Sequence, residues 1–233
     1  MSYWFLSDDI AFPHPLTASP EGILAIGGDL SIERLQLAYA FGIFPWYHEE
    51  GPMLWWFPDP RCVLKPEDIV LSKSMRALIR KQVYHVTADT AFEAVIRYCR
   101  HIPRKGQSGT WIQPEMVDAY TTMHRIGYAH SVEVWHDEQL VGGLYGTAMG
   151  KVFFGESMFS IESDTSKYAL ICLAKMMERQ GFWLIDCQQD TPHLRSMGAH
   201  LMPASEFHAL LGRSRRSVWH KQDWQTLIRD IHL

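Results

Sequence analysis

The stretch from residue 129 to residue 188 limits the possible folds more than any other part of the chain. Two alternating runs, 129–135 and 140–148, are joined by the polar turn His136-Asp137-Glu138-Gln139, and a third, 152–159, follows Met149-Gly150-Lys151. Period-two runs separated by short polar turns predict an antiparallel meander. An apolar helix over 165–180, ending at Gly181, and a short buried strand over 183–188 come next. A meander followed by a helix and one more strand predicts an α+β domain built on a mixed, mostly antiparallel sheet.

Upstream, helical spacing recurs over 31–41, 72–82, 89–101 and 114–127, and again over 204–211. Ser31 is placed to cap the first of these, and Gly42 and Gly127 to end helices where a left-handed residue is needed. The segment 43–60 holds Trp46, Trp55, Trp56 and four prolines. That density of turn residues predicts irregular chain in a compact, aromatic-packed unit. Composition changes near residue 62, so two domains are expected: a small Trp- and Pro-rich one over 1–62 and a larger one over 63–233.

With 47% hydrophobic and 21% charged residues, the 233-residue chain reads as globular and ordered. The first residues carry no basic segment ahead of an apolar run, and no stretch approaches the roughly 18 apolar residues of a membrane span. A cytoplasmic protein with no membrane partner is expected. Cys62, Cys99, Cys172 and Cys187 are scattered and the histidines form no HExxH, so no metal is expected and the thiols read as reduced and largely buried. Formal net charge is −4, but it is unevenly spread. Residues 73–105 carry eight bases, Lys73, Arg76, Arg80, Lys81, Arg97, Arg100, Arg104 and Lys105, against Asp89 and Glu93. A second basic run is Arg213, Arg215, Arg216 and Lys221. Such local runs could hold a polyanion.

Two acids interrupt otherwise apolar strands. In Leu184-Ile185-Asp186-Cys187-Gln188, alternation puts Asp186 and Gln188 on one face and Ile185 and Cys187 on the other. A buried carboxylate has to pair, protonate or work, so Asp186 is either a partner for an Arg or a helix cap, or a functional acid. In Phe154-Gly155-Glu156-Ser157-Met158, alternation puts Glu156 on one face with Phe154 and Met158. Two acids in one apolar sheet suggest a cationic ligand. The run Ser108-Gly109-Thr110-Trp111, just after a basic segment, is an arrangement that stacks an unpaired base.

The blocks GILAIGGDLS (22–31), GIFPWY (42–47), LWWFPDPR (54–61), GTWI (109–112), HSVEVW (130–135), LVGGLYG (140–146), FFGESMFS (153–160), SKYAL (166–170) and LIDCQ (184–188) stand in one order along the chain. In that combination the chain resembles the bacterial leucyl/phenylalanyl-tRNA–protein transferases. The resemblance implies a small N-terminal domain joined to an acyltransferase-like domain of the GNAT superfamily. It implies an aminoacyl-tRNA donor carrying Leu, Phe or, less readily, Met. The implied acceptor is a protein or peptide with N-terminal Arg or Lys, and the product is marked for N-end-rule degradation. Carried over by position, it makes Asp186 and Gln188 the catalytic pair, Glu156 a polar residue of the site, and Trp46 and Trp111 aromatics near the terminal adenosine. Leu144, Met158, Leu170, Leu173 and Ile185 would line the side-chain pocket.

The chemistry fits a site without a cofactor. An aminoacyl ester is already activated, whereas a free α-amino group, titrating at about 7.7–8.0, must lose a proton before attack. Asp186, oriented by Gln188, is expected to draw that proton, and Glu156 to attract a basic acceptor side chain. Lys73, Arg76, Arg80 and Lys81 are expected to contact the tRNA, and a monomer is expected. A coenzyme A-dependent acetyltransferase would need a Gly-rich loop ahead of the 165–180 helix. The chain reads Ser160-Ile161-Glu162-Ser163-Asp164-Thr165 there, and its acids would repel a diphosphate. A non-catalytic tRNA- or degron-binding module would suit the basic runs but leaves the buried acid–amide pair without a purpose.

Overall fold

In the computed structural model, residues 3–47, 51–102, 111–216 and 223–231 are described. The chain opens with strands β1 (Trp4–Leu6) and β2 (Ile23–Gly27), helix α1 (Ile32–Ala40), and strands β3 (Phe44–Pro45) and β4 (Leu54–Trp56). These strands make a four-stranded sheet in the order β1-β2-β4-β3, parallel only between β1 and β2. The segment 43–60 is therefore not irregular throughout. Its strands are too short to read from periodicity, and the indoles fix them: Trp55 Nε1 donates to Gly27 O at 2.9 Å and Trp56 Nε1 to Trp46 O at 2.6 Å.

Helix α1 starts where expected, but the Ser31 side chain makes no capping bond. Instead Asp29 Oδ1 accepts from the Ser31 backbone N–H at 2.8 Å, an Asx-type turn that sets the entry angle. Gly42 follows the helix with φ +78°, and a Cβ there would meet Leu211, Phe207 and Phe57 at 2.6 to 3.2 Å. Only glycine meets both demands at this position.

The larger sheet uses β5 (Arg61–Leu64), β6 (Tyr84–Ala88), β7 (Ala129–His136), β8 (Gln139–Met149), β9 (Val152–Ser160), β10 (Leu184–Gln188) and β11 (His200–Met202). Its order is β11-β5-β10-β9-β8-β7-β6. The β9–β10 pair is parallel and every other neighbour antiparallel, so the expected α+β chain with a mixed, mostly antiparallel sheet is what forms. The meander and its two turns fall where the alternation put them. Strands β5, β6 and β11 were not expected: each is five residues or fewer, and its pairing partner lies far away in sequence.

Helices α2 (Lys73–Arg80), α3 (Phe92–His101), α4 (Pro114–Arg125), α5 (Thr165–Arg179), α6 (Pro192–Ser196), α7 (Ala204–Ser214) and α8 (Trp224–Arg229) complete the chain. Helices α3 and α4 cover one face of the large sheet together with the four-stranded sheet. There a single core joins Leu24, Tyr39 and Trp55 to Val95, Tyr120 and Phe154. Helices α2, α5 and α8 cover the other face, over Val132, Leu144, Phe153 and Ile185. Among the described residues no helix is long and apolar enough to cross a membrane. The four thiols are free, with Cys62, Cys99 and Cys172 buried and Cys187 half-buried.

Glycines in β8 and β9 separate two kinds of position. A Cβ on Gly146 would sit 2.1 Å from Phe154 O and 2.5 Å from the Phe153 ring, whereas on Gly155 it would meet only Asp186 O at 3.5 Å. Gly146→Ala is expected to lower unfolding free energy by about 1–3 kcal/mol or more, as overpacking does. Gly155→Ala should cost less than about 1 kcal/mol. Urea unfolding of the two variants checks this, and equal losses would contradict the packing described.

Candidate active site

The site forms where the large sheet opens. Strands β9 and β10 pair from Val152–Leu184 to Phe154–Asp186, and the ladder stops there although both strands continue. Two register shifts sit at this point. One lies in β9, where Tyr145 faces Ser157 and Gly146 faces Gly155, leaving Glu156 as the extra residue. The other lies in β10, between Asp186 and Gln188. A bulge bends its strand and breaks strict alternation, as bulges beside active sites often do.

Both bulges correct the parity reading. Glu156 stays on the Phe154 face, among residues of the core that includes Tyr39 and Tyr120, while Met158 packs on the opposite core with Leu144, its partner in β8. In β10 the extra residue Cys187 separates Asp186 from Gln188, whose φ is +55°. A left-handed non-glycine residue costs on the order of 1–3 kcal/mol and has to be held by its surroundings. Residues of both β10 faces, Asp186 and Gln188 with Ile185 and Cys187, line the gap.

That gap is a cavity of about 400 Å³. Asp186, Gln188, Glu156, Trp46, Trp111, Leu144, Met158, Leu170, Leu173 and Ile185 all line it. Leu144, Leu170, Leu173 and Ile185 are buried, and with Met158 they form an apolar end backed by α5. Trp46 and Trp111 are half-buried. Phe44, Tyr145, Phe153, Thr191 and His193 also line the cavity and were not anticipated. His193 is half-buried on α6, and burial holds its imidazole below the usual range, with Lys167 adding to the effect.

Asp186 is fully buried and fully engaged with Arg61, which is equally buried. Arg61 Nε donates to Oδ1 at 2.8 Å and its terminal nitrogen to Oδ2 at 2.7 Å, and the Gln188 backbone N–H donates to Oδ1 at 3.0 Å. Three of the four acceptor sites of the carboxylate are thus taken. The guanidinium also donates to Gly42 O at 2.8 Å and lies over Phe44, Phe57 and Phe207, 4.7 to 5.6 Å from their ring centres. Gln188 Nε2 is buried with no hydrogen-bond partner among the described residues. Arg61 closes the LWWFPDPR block and was not singled out in the sequence, although pairing with an Arg was one of the fates open to a buried Asp186.

Glu156 is held differently. The Tyr39 hydroxyl donates to Oε1 at 2.7 Å, the Tyr120 hydroxyl donates to Oε2 at 3.2 Å, and the two hydroxyls are in hydrogen-bond contact with each other. Burial raises the Glu156 carboxyl to about 7, with the Asp186 charge adding to the rise and the phenols and Arg61 opposing it. Burial also drives both phenols well above their ordinary range. Tyr39 comes from α1 and Tyr120 from α4, and neither position stood out in the sequence because each also reads as a core residue of an amphipathic helix.

Lys73, Arg76, Arg80 and Lys81 are exposed on or just after α2, and none of them lines the cavity. Arg97 meets Glu93 at 3.6 Å, so part of the basic run is paired on its own helix. Arg104, Lys105, Ser108, Gly109, Thr110 and Lys221, named above, lie outside the described residues. No group of three or more His, Cys, Asp or Glu among the described residues is placed to hold a metal ion.

The sequence pattern described as leucyl/phenylalanyl-tRNA protein transferase matches residues 63–212, and that of the same family's N-terminal domain matches residues 28–59. A leucyl/phenylalanyl-tRNA–protein transferase of Syntrophobacter fumaroxidans is 51% identical over 225 residues, covering 97% of this chain and 96% of that protein. One from Anaeromyxobacter sp. (strain Fw109-5) is 53% identical over 214 residues, covering 92% and 91%. Among solved structures, an aminoglycoside acetyltransferase from an uncultured soil metagenomic sample overlays 61% of this chain and 93% of its own, with a TM-score of 0.37 at 11% identity.

The Arg61–Asp186 pair generates a stability test. Removing one partner strands a buried charge, so Asp186→Ala is expected to lose about 3–5 kcal/mol in urea unfolding. The double variant Arg61→Met with Asp186→Leu should recover most of that loss, because no charge is left unpaired. A loss for Asp186→Ala below about 1 kcal/mol, or strictly additive losses, would contradict the pairing.

Proposed function

The chain belongs to the leucyl/phenylalanyl-tRNA protein transferase family and is an aminoacyltransferase, and from that premise we propose that it moves Leu, Phe and, less readily, Met from aminoacyl-tRNA to an N-terminal Arg or Lys. The acceptor is a protein or peptide, the new bond is a peptide bond, and the product is marked for N-end-rule degradation. The protein acts in the cytoplasm as a monomer, and the small unit over 1–62 and the catalytic unit over 63–233 work as two domains.

One observation carries this reading: a single cavity joins an apolar end to a polar end. Leu144, Met158, Leu170, Leu173 and Ile185 offer a Leu or Phe side chain an apolar pocket. Apolar pockets reject polar side chains strongly but separate apolar ones by only about 1–3 kcal/mol per methylene, which suits a donor set of Leu, Phe and Met. Trp46 and Trp111 are suited to stack the terminal adenosine. Asp186 and Gln188 lie at the polar end. With three acceptor sites of Asp186 committed, its catalytic contribution is chiefly to orient. It locks the bulge that turns Gln188 toward the reacting groups, and its last acceptor site can receive an N–H of the acceptor amine. Glu156 supplies the negative charge that draws a basic acceptor inward. Attack of the amine on the ester carbonyl forms the C–N bond, the C–O bond to the ribose breaks, and an N–H proton ends on the leaving oxygen.

A transfer assay with charged tRNA and an Arg-starting peptide tests the reading. Peptide product is expected with Leu, Phe and Met, and not with Val or Asp on the same tRNA. Binding of both substrates without product would point instead to a recognition module. The exposed bases of α2 support an electrostatic hold on the acceptor stem. Arg76→Glu with Arg80→Glu is expected to weaken donor use about tenfold or more and to flatten its dependence on salt. An unchanged salt slope would remove α2 from the tRNA footprint.

A further inference from the structure

Glu156, Tyr39 and Tyr120 form a closed set of oxygen contacts. Tyr39 Oη meets Tyr120 Oη, Tyr39 Oη meets Glu156 Oε1, and Tyr120 Oη meets Glu156 Oε2. Each contact between two oxygens needs one proton between them, and the two phenols supply two. A protonated carboxyl group can supply the third, its hydroxyl donating to one phenol while that phenol donates to the other. A closed ring of two phenols and one carboxyl therefore carries exchangeable protons that can be passed around by turning hydroxyls, with no movement of heavy atoms. When the carboxyl proton leaves, both phenols can donate to the carboxylate and the charge is shared across both oxygens.

We infer that Glu156 is the proton acceptor for the incoming ammonium group, and that Tyr39 and Tyr120 are positioning residues that hold its carboxylate and spread its charge. The inference rests on the transfer reaction given above and names the group that takes the proton. It replaces the expectation that Asp186 performs this step, since Arg61 and the Gln188 backbone already occupy three acceptor sites of Asp186.

The charged and titratable groups around Glu156 come from each packed element. They are Tyr39 on α1, Tyr120 on α4 with Tyr145 of β8 packed against it, Arg61 on β5 and Asp186 on β10. Arg61 and Asp186 pair with each other, so among the described residues lining the cavity Glu156 is the acid without a basic partner. The step balances. The acceptor enters as an ammonium ion and gives one proton to the Glu156 carboxylate, which closes the ring. The neutral amine then attacks the ester carbonyl, its second proton goes to the departing ribose oxygen, and Glu156 returns its proton to water. Burial places the Glu156 carboxyl near 7, so at neutral pH the ring both accepts and releases a proton.

The sign of the pH effect follows from the phenol bonds. They stabilise the ionised carboxylate, so losing one raises the pH at which Glu156 becomes a base. In the wild-type protein kcat/KM for transfer should rise through an ionisation near 7. Tyr39→Phe and Tyr120→Phe should each move that limb upward in pH, and Glu156→Gln should abolish it and slow transfer about a hundredfold or more. Carbon-13 NMR of glutamate-labelled protein reads the same ionisation without turnover: one carboxyl should titrate near 7, be missing in Glu156→Gln, and titrate higher in both Tyr→Phe variants. Slower transfer by the Tyr→Phe variants with an unmoved pH limb and an unmoved NMR titration would leave the tyrosines a structural role and overturn the inference. Absence of transfer by the wild-type protein, with the NMR titration as expected, would instead remove the transfer reading and leave the proton ring standing.

Discussion

The buried ion pair between Arg61 and Asp186 is the interaction the site is arranged around. Arg61 sits at the first residue of β5, where the chain leaves the small sheet and enters the large one. From there it reaches Gly42 at the end of α1, the rings of Phe44 and Phe57 in the N-terminal segment, Phe207 on α7 and Asp186 on β10. Two opposite charges with no exposed surface are costly to bring together. They persist because the bidentate geometry, the Gly42 carbonyl and the Gln188 N–H satisfy most of their hydrogen-bonding groups. In return the pair fixes where the last two residues of β10 stand, including the left-handed Gln188.

Two β-bulges then convert a closed sheet into a site. The chain supplies two acids on neighbouring parallel strands, but an unbroken ladder would bury both without access. The bulge at Glu156 and the shift between Asp186 and Gln188 fall where the β9–β10 ladder ends, so the sheet opens and residues of both faces share one cavity. The two acids also meet opposite fates. Asp186 is paired with an arginine, whereas Glu156 is held by two phenols and burial raises its carboxyl to about 7.

The meander of the large sheet was readable from the sequence because strands β7 to β9 are long and alternate cleanly. Strands β7 to β9 and helix α5 appear within a residue or two of where periodicity put them. The short strands β3 and β4 were not readable, since two or three residues carry no period and the Trp55 and Trp56 hydrogen bonds that fix them cross the sheet. The residues expected in the cavity from motif blocks do line it, but their faces could not be read. Alternation fails at a bulge, and nothing in FGESMFS or LIDCQ marks the extra residue. Arg61, Tyr39 and Tyr120 were missed for a related reason. Each lies far in sequence from the acid it holds; Tyr39 and Tyr120 read locally as ordinary helix residues, and Arg61 opens a strand too short to show a period.

The central claim is that the apolar end of the cavity takes the donor side chain while the polar end meets the reacting carbonyl. A crystal structure of the protein with phenylalanyl-adenosine joined by an amide in place of the ester tests it most directly. The phenyl ring should lie among Leu144, Met158, Leu170, Leu173 and Ile185, with the carbonyl carbon within reach of Gln188 and Glu156 and the adenine against Trp46 or Trp111. A ring bound outside that pocket, or a carbonyl turned away from both Glu156 and Gln188, would contradict the account.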